Sequence, residues 1–227
     1  MWAIAACLGV SALDALVLVV EPGRVTQAED ALAALVGQAS TASAHTSPVR
    51  WRVGTPAVSI RLSGASADRL ATLGARRRGA ALAGVAGLQM LVPDCEWVVI
   101  HEATRPLASA ALIQAGLAAA IRANMGAVAS EPVKETLKRA PDGVGGRVAE
   151  TLPRAALARA QTPQVYRVAD LLAALRRLPP GADPADEATV AFAAGLPLIT
   201  FPSGHDNLKV TSRADLPIVE AALRQRQ

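Results

Sequence analysis

The stretch Trp97-Val-Val-Ile-His-Glu-Ala-Thr-Arg-Pro-Leu107 constrains this chain most: an apolar, β-branched run stops abruptly at a base, an acid and a proline. Such a run suits a strand of a parallel sheet covered on both faces. Glu102 and Arg105 then fall just past its carboxyl end, where open α/β sheets bind ligands. Pro106 stops the strand and can open the helix that follows.

The rest of the sequence alternates strand and helix around this element. Ala15 to Val20 reads as a strand closed by Glu21-Pro22-Gly23, and Thr26 to Val36 as a helix with a Thr26/Glu29 capping box. Val49 to Val53 or Ala57 to Leu62 supplies the next strand. Arg69 to Leu91 is broadly helical in its spacing, interrupted by Gly74 and by Arg76-Arg77-Arg78. Downstream come a helix from Ser109 to Ala123 and a strand from Gly126 to Ser130. Two polar, alternating segments then flank a glycine-rich turn at Pro141 to Gly146, which predicts a projecting β-arm at about residues 132–155. An arm with so little core of its own needs another surface, such as a second subunit. Helices follow at Val168 to Leu178 and Ala185 to Ala194, then a strand at Leu198 to Phe201. A polar loop runs into a short strand carrying Lys209, and Ser212 caps a last helix, Ala214 to Leu223. The pattern predicts one domain over residues 1–227: an α/β three-layer sandwich with a mostly parallel, Rossmann-like sheet.

Composition narrows the function. Aromatic residues are only 3% of the chain, so the core is aliphatic. The net charge of +4 is modest and its basic residues are spread out, which favours a small anionic ligand over nucleic acid. Cys7 and Cys95 have no metal-type spacing and suggest a reduced, cytoplasmic protein. Met1 to Val20 is apolar, but Asp14 interrupts it and no basic leader precedes it; a helix and a buried strand explain the same letters without a membrane.

Singly, the polar candidates have plain explanations. Glu102 could be a solvated acid or a partner for Arg105, Thr136 and Thr162 ordinary strand and turn residues, Lys209 a surface lysine, and the Arg76 to Arg78 triple a solvated helix face. Together they describe one carboxylate able to hold Mg²⁺, with lysine, arginines and hydroxyls able to hold phosphate. Phosphoryl transfer asks for such a set, because the protein's work there is mainly to position and neutralise oxyanions.

His101-Glu-Ala-Thr-Arg-Pro-Leu107, Pro132-Val-Lys-Glu-Thr-Leu-Lys-Arg139, Ala160-Gln-Thr-Pro-Gln164 and Asn207-Leu-Lys-Val-Thr211 resemble, in order, the motifs of 2-C-methyl-D-erythritol 4-phosphate cytidylyltransferases. The resemblance runs from about Ala15 to the carboxyl end. It implies transfer of CMP from CTP to methylerythritol phosphate in isoprenoid precursor biosynthesis, with Mg²⁺ as cofactor and a homodimer formed through the arm. Glu102 stands where the family has a metal-holding aspartate and is one methylene longer. Arg105 and Lys209, with Ala103 beside them, match positions that contact the substrate and the reacting phosphates. Thr136 and Arg154 match arm residues that reach a neighbour's substrate pocket, and Thr162 matches a substrate-side threonine. Arg78 best fits the arginine of the cytosine-side motif, which puts Ala81 at its serine; Arg69 followed by Thr72 is the other candidate. Ala185 stands where the family has a threonine.

The family's opening strand, its glycine-rich triphosphate loop and the lysine after it find no match, and the first lysine here is Lys134. Met1 to Cys7 is then a shortened remnant of that strand, or the chain begins after it. On either reading the resemblance implies weak CTP binding and little turnover. A non-catalytic dimeric paralogue stays open as an alternative, as does a cytidylyltransferase for another sugar or polyol phosphate, which Thr104 and Ala185 would permit.

Overall fold

A computed structural model describes residues 7, 10, 13, 16–20, 30, 60–64, 76–179, 181–182 and 184–225 of the protein. Of the helix expected at Thr26 to Val36 only Asp30 is among them, and it is helical; Arg69 and Thr72 lie outside. Two short strands, β1 (Leu16–Val20) and β2 (Ile60–Gly64), pair in parallel. Helix α1 (Arg76–Leu91) packs against both.

The main sheet has four strands in the order β3 (Trp97–Ile100), β7 (Ala158–Arg167), β4 (Gly126–Pro132), β8 (Leu198–Pro202). Strand β7 is antiparallel to both β3 and β4, and β8 is parallel to β4. Three strands thus share one direction, as a parallel α/β sheet requires, and the reversed β7 is inserted between them. Alternation along the strands separates two apolar layers. Trp97, Val99, Ala127, Ala129, Val165, Ile199 and Phe201 face helix α2 (Ala110–Ala123). Val98, Ile100, Tyr166 and Leu198 join the opposite cluster, which α1, α3 (Val168–Arg177) and α4 (Glu187–Ala193) cover. The layers are those of a three-layer sandwich.

Helix α2 begins where Ser109 accepts a hydrogen bond from Leu112 N and ends at Asn124, whose φ of 54° suits an asparagine C-cap. Pro106 lies in the turn before it rather than at its first position. With few aromatics available, the α2 face is built from Gly116, Ala119 and Ala120 against Ala127 and Ala129, and the Phe201 ring fills the space over Gly116. The last helix, α5 (Leu216–Arg224), docks Val219 and Leu223 onto Leu107. Ser212 and Asp215 form the capping box of the short 3-10 turn before it, and N–H groups of Thr211 and Ser212 hold the Asp215 carboxyl below its ordinary value.

Beyond the sheet, β4 and β7 continue into the arm. Ala158 to Ala160 still pair with Ser130 to Pro132, but they are exposed. Between them the chain makes the two-residue ladder β5 (Lys138–Arg139) with β6 (Glu150–Thr151), around a tip where Gly143 and Gly145 take φ of 81° and 92°. Val144 and Val148 are exposed on that tip. The Cys95 thiol donates to Trp97 O at 3.1 Å, and burial pushes the Cys7 thiol up to about 11. Among the described residues no helix is long and apolar enough to cross a membrane.

A Gly to Ala change inside a helix ordinarily stabilises by about 1 kcal/mol. A Cβ at Gly116 would stand 2.6 Å from Cζ of the buried Phe201 ring. Overpacking of that kind costs about 1–3 kcal/mol, so Gly116→Ala is expected to lower stability in urea unfolding, and a rise would show that the ring yields.

Candidate functional site

The sheet brings three distant segments together at the carboxyl end of β3: the turn 101–105, the middle of β7, and the loop 203–211. Glu102 meets two cations. Lys209 Nζ lies 2.9 Å from Oε1, and Arg105 Nε lies 3.4 Å from Oε2. The Glu102 side chain is 20% exposed and that of Arg105 10%, so the attraction is screened far less than at an open surface. Burial pushes the Arg105 guanidinium below its ordinary value, against the pull of Glu102; it remains charged.

Arg105 is fixed from behind. Its Nη1 donates to Asn207 O at 2.8 Å, whereas at 3.4 Å Glu102 gives Nε charge without an aligned hydrogen bond. Asn207 is buried, and its amide Nδ2 donates both to Gln161 Oε1 at 2.7 Å and to Thr162 O at 2.8 Å. Those two acceptors settle the orientation of the amide, because turning it over would set oxygen against oxygen. The backbone joins the two loops again through Val210 N–H to Thr104 O at 2.8 Å. Lys209 therefore reaches Glu102 from an irregular segment; the strand expected around it is absent, because this segment's backbone meets the turn after β3 and not a strand edge.

Strand β7 supplies the floor. Between Val128 and Ser130 of β4 its register slips, so that residues 161–163 bulge opposite Ala129. The Thr162–Pro163 peptide there is cis. The Thr162 hydroxyl accepts from Glu102 N–H at 3.1 Å and lies 3.1 Å from His101 Nδ1. Burial is the main influence on His101 and pushes its imidazole below the ordinary value, towards the neutral form. On the other side of the bulge, Gln164 Oε1 accepts from Tyr166 OH and from Ala188 N–H, and its Nε2 donates to Asp186 Oδ2. Asp186 in turn caps α4 through Thr189 N–H and Oγ1. The segment 185–189 is thereby fixed to β7. Gln161 Nε2 donates to Glu131 Oε1, which also meets Arg159, so the polar network extends to the end of β4.

Of the residues expected from the sequence, Glu102, Arg105, Thr162 and Lys209 are joined by direct contacts or through one another. Ala103 is exposed in the same turn. Thr136 is exposed at the base of the arm, and Arg154 donates to Lys134 O beside it. Arg78 donates to Leu175 O in the last turn of α3. His101, Gln161, Gln164 and Asn207 were not expected in the site, although all four stand inside the motifs quoted above.

As a cation site the cluster offers one carboxylate. Among the described residues no three His, Cys, Asp or Glu side chains group as metal ligands. Mg²⁺ commonly takes one or two carboxylates together with substrate phosphates and water, so Glu102 fits a Mg²⁺ that arrives with a phosphate chain and not one held by a protein cage.

The sequence model of one family, "IspD: 2-C-methyl-D-erythritol 4-phosphate cytidylyltransferase", matches residues 62–225. The chain is 40% identical over 169 residues to the bifunctional enzyme IspD/IspF of Rhodospirillum rubrum, spanning 72% of this chain and 42% of that protein. It is 38% identical over 154 residues to the 2-C-methyl-D-erythritol 4-phosphate cytidylyltransferase of Dechloromonas aromatica, spanning 68% of this chain and 65% of that one. The chain thus spans less than two thirds of either relative. Among solved structures, the 4-diphosphocytidyl-2C-methyl-D-erythritol synthase of Anaerococcus prevotii shares the fold, with a TM-score of 0.73 at 19% identity over 98% of this chain and 84% of that one. The 2-C-methyl-D-erythritol 4-phosphate cytidylyltransferase of Thermus thermophilus gives 0.55 at 29% identity, over 80% and 79%.

Removing the Asn207 amide would leave two buried acceptors without their donor, at about 1–3 kcal/mol each. Asn207→Ala is therefore expected to lose about 2–6 kcal/mol in chemical denaturation, and Asn207→Asp, which sets a carboxylate against the same oxygens, to lose more. A loss under about half a kcal/mol would mean that water replaces the amide.

Proposed function

The chain belongs to the 2-C-methyl-D-erythritol 4-phosphate cytidylyltransferase family, and on that footing we propose that it transfers CMP from CTP to 2-C-methyl-D-erythritol 4-phosphate, in the cytoplasm. The observation that carries this reading is the meeting of Glu102, Arg105 and Lys209 at the carboxyl end of β3. In the reaction an oxygen of the acceptor phosphate attacks the α-phosphorus of CTP. The new P–O bond forms as the bond to the β-phosphate oxygen breaks, and pyrophosphate leaves with that electron pair.

Lys209 and Arg105 supply fixed positive charge where the phosphate oxygens gather, and both exchange a carboxylate partner for a phosphate one. Glu102 stands ready to take Mg²⁺ with the nucleotide. Bound there, Mg²⁺ would neutralise charge on the α-phosphate and the leaving pyrophosphate. The buried Asn207 carbonyl keeps Arg105 from swinging away, so the charge is positioned before substrate arrives. Ala103 would lie along the acceptor, and the Arg78 position on the nucleotide side.

The arm is proposed to make a homodimer and to carry Thr136 and Arg154 to the partner's acceptor site. Its support is the exposed apolar tip at Val144 and Val148 on a hairpin with no core of its own.

Pyrophosphate release from CTP, Mg²⁺ and methylerythritol phosphate is the direct test, and a full-length chain that releases none would sink the reading. Lys209→Ala is expected to weaken acceptor binding about tenfold to a hundredfold in calorimetry, the worth of one charge-assisted hydrogen bond, while Lys138→Ala leaves it unchanged. Deleting residues 137–151 is expected to convert a dimer to a monomer in light scattering; an intact chain already monomeric at micromolar concentration removes the arm's role.

A further inference from the structure

His101 precedes Glu102 at the end of β3, and both of its ring nitrogens are engaged. Nε2 lies 3.1 Å from Arg105 O, a carbonyl that can only accept, so Nε2 carries the proton. Nδ1 lies 3.1 Å from a Thr162 hydroxyl that already accepts Glu102 N–H. The hydroxyl's single proton is then left for Nδ1. The result is one matched run, in which Glu102 N–H donates to Thr162 Oγ1, Thr162 donates to Nδ1, and Nε2–H donates to Arg105 O. Arg105 N–H closes the turn onto Glu102 O at 2.9 Å.

We infer that His101 is a positioning residue: its imidazole, protonated on Nε2 and braced by the Thr162 hydroxyl, fixes the turn 101–105 so that the Glu102 carboxylate and the Arg105 guanidinium face one anionic ligand together. Each ring nitrogen is already committed to this run, so the ring acts through its two neighbours. Strand β3 alone delivers Glu102 to the edge of the sheet, but a turn after a strand has many conformations, and this run selects one. The inference deepens the transferase reading and rests on it for the kinetic measurement only.

Long-range ¹H–¹⁵N spectra of the labelled full chain at pH 8, with His101→Phe identifying the resonance, are expected to show a neutral ring protonated on Nε2. A ring protonated on Nδ1 overturns the inference. Calorimetry with inorganic phosphate in the presence of Mg²⁺, which gives the Glu102 carboxylate another partner, reads the presented charge without nucleotide or turnover. His101→Phe and Thr162→Val should each weaken phosphate binding about 10–100-fold, the loss that follows when a group orienting a metal ligand is removed. Thr162→Ser should restore binding to within about twofold of the parent, and the double variant should be no weaker than the worse single one, because the two act as one unit. Unchanged binding in His101→Phe, additive losses, failure of the serine to rescue, or no phosphate binding by the parent chain each overturns the inference. If pyrophosphate release is observed, His101→Phe should lower kcat with little change in KM for CTP; a rise in KM alone overturns it. A parent chain that releases no pyrophosphate removes the transferase reading, and the spectra and phosphate titrations still decide the role of His101.

Discussion

The polar half of this molecule depends on β7, which must satisfy a strand on each edge and still spend its side chains in three directions. Its register slip opposite Ala129 is what makes this possible. Regular pairing would keep residues 161–163 in strict alternation across the sheet. Released from it, Thr162 reaches the turn after β3 and Gln161 reaches Asn207 and Glu131, while Gln164, still in register with both neighbours, reaches the start of α4. The cis Thr162–Pro163 peptide falls in the slipped segment, where a residue without an N–H costs no ladder bond.

Burial sets how the charges behave. An exposed Lys–Glu pair contributes little, because water screens it and the long side chains lose freedom. Here Glu102 and Arg105 are mostly shielded, and Asn207 holds Arg105 by a neutral carbonyl. A guanidinium held by a carbonyl keeps its full charge available, whereas one held by a second carboxylate would not. The two cations around Glu102 thus leave a site with one positive charge in excess at rest, which can accept a phosphate once the carboxylate has another partner.

Apolar periodicity made most of the fold legible in the sequence. Trp97 to Ile100, the alanine-rich α2, β4 and α3 all follow from it, and the arm follows from its glycine-rich turn. Strand β7 was not legible as a strand, because Ala160-Gln-Thr-Pro-Gln164 is polar and contains proline. Its burial is compensated by side-chain hydrogen bonds, to which a hydrophobicity pattern is blind. The same blindness hid His101, Gln161, Gln164 and Asn207. Buried amides cluster only once the sheet is formed, and the one clue beforehand was their place inside the quoted motifs. Lys209 was found as a residue but not in its setting: its segment is irregular, its backbone bonded to the turn at Thr104.

The bonds that define the site join residues far apart along the chain, 60 positions from Glu102 to Thr162, 102 from Arg105 to Asn207 and 107 from Glu102 to Lys209. These three are long-range, and only the meeting of Glu102 with Arg105 falls within one turn, so no fragment of the sheet contains the whole site in miniature. Loop closure over such separations must be met before these contacts return anything, which places them late in assembly. During synthesis, a nascent chain that has emerged only as far as α4 can already pair β3, β7 and β4, yet it has neither Asn207 to restrain Arg105 nor Lys209 to face Glu102. The charge centre comes into being with the last few dozen residues, and its presence is a marker that folding has finished.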